Sequence, residues 1–493
     1  MKEEMKRMMV PGYPLQGEPG LDTVCADVIR KILTFLDSRS LKKLREVSSS
    51  IRDKVEENSK MVHYWSLTSE FSIENLEKFA DEVQTVLGLL VNDATDEGLK
   101  YFARKHPEII EFQLGSDDTD TDTDTDTVSV TDTDTSKCSL NGLQTVMSLP
   151  NLTSVKINRK IQPIPDQSIF SMLFILSSRL TTLGLYNLQN IPEESILVLL
   201  HSCSSSLKTI HLSGNSNITD VILLKIFQKF GSSLESLDLS NSNVTGEKLS
   251  EFNGSLPVIT ELGLFNCKLT DTGLLYLLHL GRKTLDSMVI AYTPITGEKL
   301  KEFEGTMECL ETFDFHSCEQ ITDGGLLQII RICGSTLTEL NLSFTPLTGE
   351  GLVNCTSSLE NVEKLDCSFA FELTDHGLFQ LLSLCGDNLE TLNIDDTCVT
   401  CNMLSIENLP HIQNLKSLNC SSTSLVDSGL LQLLRLWGNT LTHLDIGDND
   451  ITGEGLSELG VCSLPCIEEI SLWCENLSDD GLVKFLKLCK KNC

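Results

Sequence analysis

The amino-acid sequence predicts an α/β solenoid, a horseshoe with a parallel sheet on its concave face and helices on its convex face, led by a small all-α module. Three observations predict it. The spacing Leu-x-x-Leu-x-Leu recurs along nearly the whole chain after residue 60. At 493 residues the chain is longer than one globular core encloses, so it divides into domains or extends as an array. Two kinds of segment alternate between the leucine motifs with a fixed period.

Each motif reads as a short strand whose leucines point into the solenoid while the residues between them face the concave side. Clear copies include Leu180-Leu183-Leu185, Leu207-Ile210-Leu212, Leu234-Leu237-Leu239, Leu337-Leu340-Leu342 and Ile467-Ile470-Leu472. From residue 207 onward their starts are 25 to 27 residues apart. Weaker copies at Leu152, Ile109, Val86 and Val62 carry the array backward, giving sixteen expected strands. No repeat covers its own leucines, so each requires its neighbours.

Between strands, a segment such as "TDTGLLYLLHL" reads as a helix. Thr270 or Asp271 accepts from the free N–H groups of its first turn, and the leucines behind them form the buried stripe. Thr-Asp recurs at 270, 322 and 374, with Ser478-Asp479 as a variant, while Thr-Gly-Glu recurs at 245, 296, 348 and 452. Matching starts at 234, 285, 337, 389 and 441 are 51 or 52 residues apart, so the duplicated unit is a pair of repeats.

The Thr-Asp-x-Gly-Leu turn, the repeat length, and a Cys or Asn three residues after the last strand leucine (Asn215, Cys267, Cys318, Asn449) together resemble the cysteine-containing leucine-rich repeats of F-box proteins. The resemblance covers residues 60–493 and concerns the fold.

Repeat phase also bears on the 18 cysteines. Cys203, Cys333, Cys385 and Cys489 sit four residues before a strand start, real or implied, and Cys309 and Cys466 one residue before; residues repeated in phase with the core read as packing residues. Cys398 and Cys401 have C-x-x-C spacing, but no second pair or His pair completes four ligands, so loop packing is favoured over a metal or redox role. No metal and no cofactor is expected. The run "SDDTDTDTDTDTVSVTDTDT", within 116–135, separates motif starts that are 43 residues apart. It has no apolar face to offset the entropy of ordering, and reads as a mobile low-complexity loop. Its alternate carboxylates suit calcium, yet the glycine and closing glutamate of an EF-hand loop are missing.

Residues 1–20 read as a disordered tail and 21–58 as the helical module. Val24, Val28, Ile32, Leu33 and Leu36 follow helical spacing; Asp37, Ser38 or Ser40 caps a second helix, on which Leu41, Leu44 and Val47 continue the apolar face. About 35 residues enclose no full core, so the module leans on the solenoid or on a partner. The pattern Val24-Cys25-Ala26-Asp27, Ile32-Leu33, Leu36-Asp37, Leu41, Leu44, Val47-Ser48 and Ile51 resembles an F-box, with Cys25 where the family usually has Pro and Ile51 where Trp is common. The resemblance implies a non-catalytic adaptor. The F-box docks on the Skp linker subunit, and through it the cullin, of an SCF ubiquitin ligase, while the repeats hold a protein substrate for ubiquitination. The alternative is a ligase-independent scaffold or inhibitor built on the same repeats, as in the acidic, Cys-rich ribonuclease inhibitors.

The expected concave face is acidic. Glu235, Asp238, Glu261, Asp286, Glu311, Asp314 and Glu339 belong to it, and Phe265, Tyr292, Phe344, Phe369 and Trp473 lie just past the strands. That surface suits a basic protein partner. Formal net charge is -32, from 70 acidic and 38 basic residues, which argues against nucleic-acid binding by the repeats. Without a signal peptide or any run of about 18 apolar residues, the expected setting is cytoplasmic or nuclear, away from membranes.

Overall fold

The computed structural model describes residues 64–67, 88–91, 96–114, 140–158, 166–187, 191–405, 407, 409, 412–459 and 464–489. The F-box-like segment 21–58, the tail 1–20 and the Thr/Asp run 116–135 lie outside the described residues. The chain forms two compact units, residues 1–215 and 216–493.

In the first unit, strands β1 (Tyr64–Leu67), β2 (Gly88–Val91), β3 (Glu111–Leu114), β4 (Ser154–Asn158), β5 (Thr182–Tyr186) and β6 (Thr209–His211) pair in sequence order, each parallel to the next. From β2 onward, helices Asp96–Lys105, Leu140–Met147, Asp166–Leu176 and Glu193–Ser202 lie between successive strands. In the second unit the strands are β7 (Ser236–Asp238), β8 (Glu261–Gly263), β9 (Ser287–Val289), β10 (Thr312–Asp314), β11 (Glu339–Asn341), β12 (Lys364–Asp366), β13 (Thr391–Asn393), β14 (Ser417–Asn419), β15 (His443–Asp445) and β16 (Glu469–Ser471), again parallel and in order. Every one of the sixteen expected motifs carries a strand. The central residues Leu237, Leu262, Met288, Phe313, Leu340, Leu365, Leu392, Leu418 and Leu444 form one buried row, and each contributes about 2 kcal/mol by leaving water.

The two segment types fold differently. Thr-Asp segments give α-helices Asp271–Gly281, Asp323–Cys333 and Asp375–Leu384, and the related Asp220–Phe230, Asp427–Trp437 and Asp479–Leu488 follow suit. Thr-Gly-Glu segments give only 3-10 turns, Glu247–Glu251, Glu298–Glu302, Glu350–Leu352 and Leu456–Glu458. Their sequences supply one buried leucine each, at Leu249, Leu300, Leu352 and Leu456, too little apolar surface to hold a longer helix against the sheet.

Capping separates the roles of Thr and Asp. The Thr270 hydroxyl accepts from the Gly273 amide, as Thr322 does from Gly325 and Thr374 from Gly377, each cap stabilising its helix by about 1 kcal/mol. The neighbouring aspartate instead reaches the next repeat. Asp271 Oδ1 accepts from the amides of Thr296 and Gly297, both at 2.9 Å, and Asp375 Oδ1 accepts from Thr400 and Cys401 at 2.9 and 2.8 Å. Toward the following repeat, the Thr296 carbonyl accepts from the Thr322 amide at 3.2 Å, and the Thr348 carbonyl from the Thr374 amide at 3.2 Å. Gly246, Gly297 and Gly349 take φ of 79°, 78° and 76° at this clasp, a region open to glycine at little cost. Pairing of repeats is thus a hydrogen-bonded fact.

Candidate functional site

The solvent-facing side of the second unit's sheet is built from the strand residues flanking the buried row. Glu261 and Glu339 open β8 and β11 and stand on this face, Glu261 exposed and Glu339 half-buried. Glu235, Asp286 and Glu311, expected on strands, lie one residue before β7, β9 and β10. Their backbone carbonyls accept amides from the next repeat while their side chains remain exposed, so they form the rim by which the chain enters the sheet. Asp238 and Asp314 close β7 and β10 and are half-buried. Asp238 Oδ1 accepts from the Ser240 amide at 2.9 Å, and Asp314 Oδ1 from the His316 amide at 3.1 Å. These carboxylates fix the turn that ends the strand, a side-chain-to-backbone bond favoured by Asp and Asn. The face is therefore less uniformly available to a partner than its composition implies. Its lysines are occupied too: Lys364 pairs with Glu339, and Lys416 with Glu390.

Beyond those turns, one residue per repeat adopts positive φ. Asn241, Asn266, Tyr292, Ser317, Phe344, Phe369 and Asp396 occupy this place, with φ of 56°, 50°, 58°, 55°, 55°, 57° and 50°. Each amide donates to a carbonyl of the next repeat, for example Tyr292 to His316 at 3.0 Å and Phe344 to Ser368 at 2.9 Å, so hydrogen bonding continues past the strands. A left-handed aromatic costs on the order of 1 kcal/mol or more, and the surrounding bonds hold it there.

The structure assembles four of the five sequence-predicted aromatics into two groups. Phe265 lies 5.0 Å from Tyr292, centroid to centroid, and both approach His316, at 6.2 and 5.3 Å. Phe344 and Phe369 stack at 4.3 Å with 7° between planes, and Phe371 lies 6.3 Å from Phe369. Trp473, 80 % exposed, follows β16, four strands beyond the strand of Phe369, and joins neither group. His316 and Phe371 are the additions that sequence reading missed. His316 Nδ1 sits 2.9 Å from Asp314 Oδ1. Counting two residues past each strand end finds both Phe265 and His316, whereas Phe371 has no repeat-phase signal.

Family models of the leucine-rich repeat match residues 203–227, 335–354 and 439–460, and a second such model matches 233–255. These are leucine-rich repeats. Among solved structures, the array is similar to an internalin from Listeria monocytogenes (19 % identity, 67 % of this chain and 83 % of that one, TM-score 0.46) and to a yeast Rad7 and Elc1 complex (16 %, 66 % and 88 %, 0.44). It is also similar to the Drosophila Toll–Spatzle complex (14 %, 83 % and 51 %, 0.48). No curated protein matches the chain. Among the described residues no helix is long and apolar enough to cross a membrane, and no group of three or more His, Cys, Asp or Glu is placed to hold a metal ion.

Within the leucine-rich repeats the cysteines divide by position. Cys203, Cys333 and Cys385 are buried as expected, and Cys489 partly so, but Cys309 and Cys466 are exposed. One residue before the strand motif the chain has not yet turned inward, which corrects the packing assignment of those two. Of the C-x-x-C pair, Cys398 is exposed while Cys401 is fully buried at φ 60°, standing where other repeats place the clasp glycine. Burial pushes the Cys267 and Cys318 thiols up to about 11 and Cys385 to about 12, and raises Cys333, Cys401 and Cys420 further. Because the thiolate is the nucleophile, brief iodoacetamide treatment of the native protein near neutral pH is expected to label Cys309, Cys398 and Cys466 while leaving these buried thiols intact. Peptide mass spectrometry reads the pattern, and early labelling of Cys333 or Cys385 would contradict it.

Proposed function

We propose that the chain is the substrate-recognition subunit of an SCF-type ubiquitin ligase. The leucine-rich repeats are a scaffold for binding protein, and the finer reading rests on the F-box-like pattern of Val24, Cys25, Val28, Ile32, Leu33, Leu36, Leu41, Leu44, Val47 and Ile51 immediately before them. In this role residues 21–58 bind the Skp linker subunit, which carries the cullin, and the sheet face holds a basic protein substrate. Catalysis is by proximity: substrate lysine and ubiquitin-charged enzyme are kept at high effective concentration, and the chain itself supplies no nucleophile or base.

The exposed carboxylates Glu235, Glu261, Asp286 and Glu311 support a basic substrate, since like charges on a wrong partner are repelled and opposite charges speed encounter. The same surface also suits a ligase-independent scaffold or inhibitor. Mixing purified full-length chain with the Skp subunit separates the two. Stable binding is expected, and Ile32→Asp with Leu36→Asp, which puts two carboxylates into the apolar helix face, is expected to weaken it more than about 100-fold. An intact chain that fails to bind Skp would refute the ligase reading and leave the scaffold.

A further inference from the structure

We infer that the Phe344–Phe369 stack, with Phe371 and the neighbouring carboxylates of Asp395 and Asp396, forms a ledge that takes an arginine side chain from an extended basic segment of the bound protein. This rests on the proposed use of the sheet face for a basic substrate, and names the residue type that this part of the face selects.

Three features point to a planar cation. The first is exposed ring surface: Phe344 is 47 % and Phe371 55 % exposed, and both contact half-buried Phe369. Phe344 and Phe369 stand at a position where other repeats carry Asn, Ser, Asp or Tyr, and Phe371 adds a third ring beside them. Second, the pair is rigid. Phe344 and Phe369 are held in the left-handed conformation, with their amides donating to Ser368 and Asp395 carbonyls at 2.9 and 2.8 Å, so the stacked rings are already ordered before anything binds.

Third, the adjoining negative charge lacks a cation. Asp395 and Asp396 come from the repeat after that of Phe369, one strand spacing or roughly 5 Å from it along the sheet and two spacings from Phe344, and the Asp395 carbonyl accepts from the Phe369 amide. Among the described residues neither has an ion pair with lysine or arginine, whereas Lys364 and Lys416 nearby are paired with Glu339 and Glu390. Burial raises the Asp395 carboxyl above its ordinary value; a hydrogen bond from Ser421 opposes the rise, and the nearby carboxylates of Asp396 and Asp445 add to it. A ring face carries the negative part of the aromatic quadrupole, so rings and carboxylates here attract the same kind of group. Guanidinium suits both, because it is flat enough to lie on a phenyl ring while its N–H fork donates to a carboxylate; the ammonium of lysine is a compact, strongly hydrated point charge.

The probe is a fluorescein-labelled peptide of alternating arginine and glycine, compared at physiological ionic strength with its lysine and citrulline counterparts by anisotropy with the full-length protein. The arginine peptide is expected to bind about five-fold more tightly than the lysine peptide, and the citrulline peptide least. Phe344→Ala, at an exposed position, is expected to lower arginine binding to the lysine level without changing the thermal midpoint, while Phe344→Trp retains the preference. Equal binding of the arginine and lysine peptides, or an arginine preference that survives Phe344→Ala, would overturn the ledge and leave the acidic face standing. Failure of both cationic peptides to bind would remove the basic-substrate reading, and the ledge with it.

Discussion

Gly377→Ala is expected to destabilise the second unit by about 3 kcal/mol or more, although alanine is the better helix former. Gly377 lies in the first turn of helix Asp375–Leu384, where its amide donates to Thr374 Oγ1 at 2.9 Å. A Cβ at this position would meet the Thr348 carbonyl oxygen at 1.8 Å and the Gly349 Cα at 2.9 Å. Both are backbone atoms of the clasp, so neither swings aside like the end of a flexible side chain. Helix propensity favours the substitution by about 1 kcal/mol, and the clash outweighs it because relief requires shifting two repeats apart. Urea unfolding followed by circular dichroism measures the change. Gly447→Ala provides the control: its nearest neighbour is the Asp445 side-chain oxygen at 3.2 Å, and a change below about 1 kcal/mol is expected there. Equal midpoints for the native chain and Gly377→Ala would show that the repeats do not approach as closely as described.

The second large effect is expected from Asp220→Ala, a loss on the order of 3 kcal/mol. Asp220 is 9 % exposed, and its carboxylate accepts from the Thr245 amide at 2.7 Å, the Thr245 hydroxyl at 2.6 Å, the Gly246 amide at 2.9 Å and the Lys248 amide at 3.3 Å. Truncation leaves several donors buried or half-buried without an acceptor, which costs about 1 to 3 kcal/mol for each one that water fails to reach. The same site sets a pH dependence. Burial alone would raise the carboxyl, but the hydrogen bonds from Thr245, Gly246 and Lys248 outweigh it and hold Asp220 below its ordinary value of 3.8. A depressed native value means that the carboxylate stabilises the fold at pH above 3.8, and that this contribution disappears as pH falls through the native value. The stability gap between the native chain and Asp220→Asn should therefore be widest near neutral pH and narrow on acidification below the ordinary carboxylate range. A gap unchanged between neutral and strongly acidic conditions would contradict the assignment.

The strands were legible in the sequence because their cause is local and repeated. Leu237, Leu340 and Leu444 point inward wherever the motif occurs, and the neighbours needed to cover them are copies of the same motif. What sequence reading missed lies where one residue type serves two purposes. Asp238 and Asp314 look like groove acids, and only the bond to an amide two residues on shows that they terminate strands. Asp271 looks like a helix cap, but the cap is Thr270, and the aspartate's partners are 25 and 26 residues away. The aromatic grouping at Phe344 and Phe369 depends on a positive φ at a fixed place in the repeat, which nothing about phenylalanine announces. Cys309 and Cys466 carry the right phase but face water, since one residue before a strand the backbone has not yet turned its side chains inward.

The alternating clasp also limits how such a chain is lengthened or shortened. Asp220, Asp271 and Asp323 each fit a Thr-Gly of the other segment type, and the Thr245, Thr296 and Thr348 carbonyls each receive the amide of the Thr in the following Thr-Asp. Excision of one Thr-Gly-Glu repeat would bring two Thr-Asp segments side by side, setting carboxylate against carboxylate with no waiting amides between them, and excision of one Thr-Asp repeat would leave two Thr-Gly segments adjacent with one set of amides unclaimed. Excision of two restores every match across the junction. The array thus has a parity rule: even steps in repeat number heal seamlessly, and an odd step leaves a scar that a new sequence must repair.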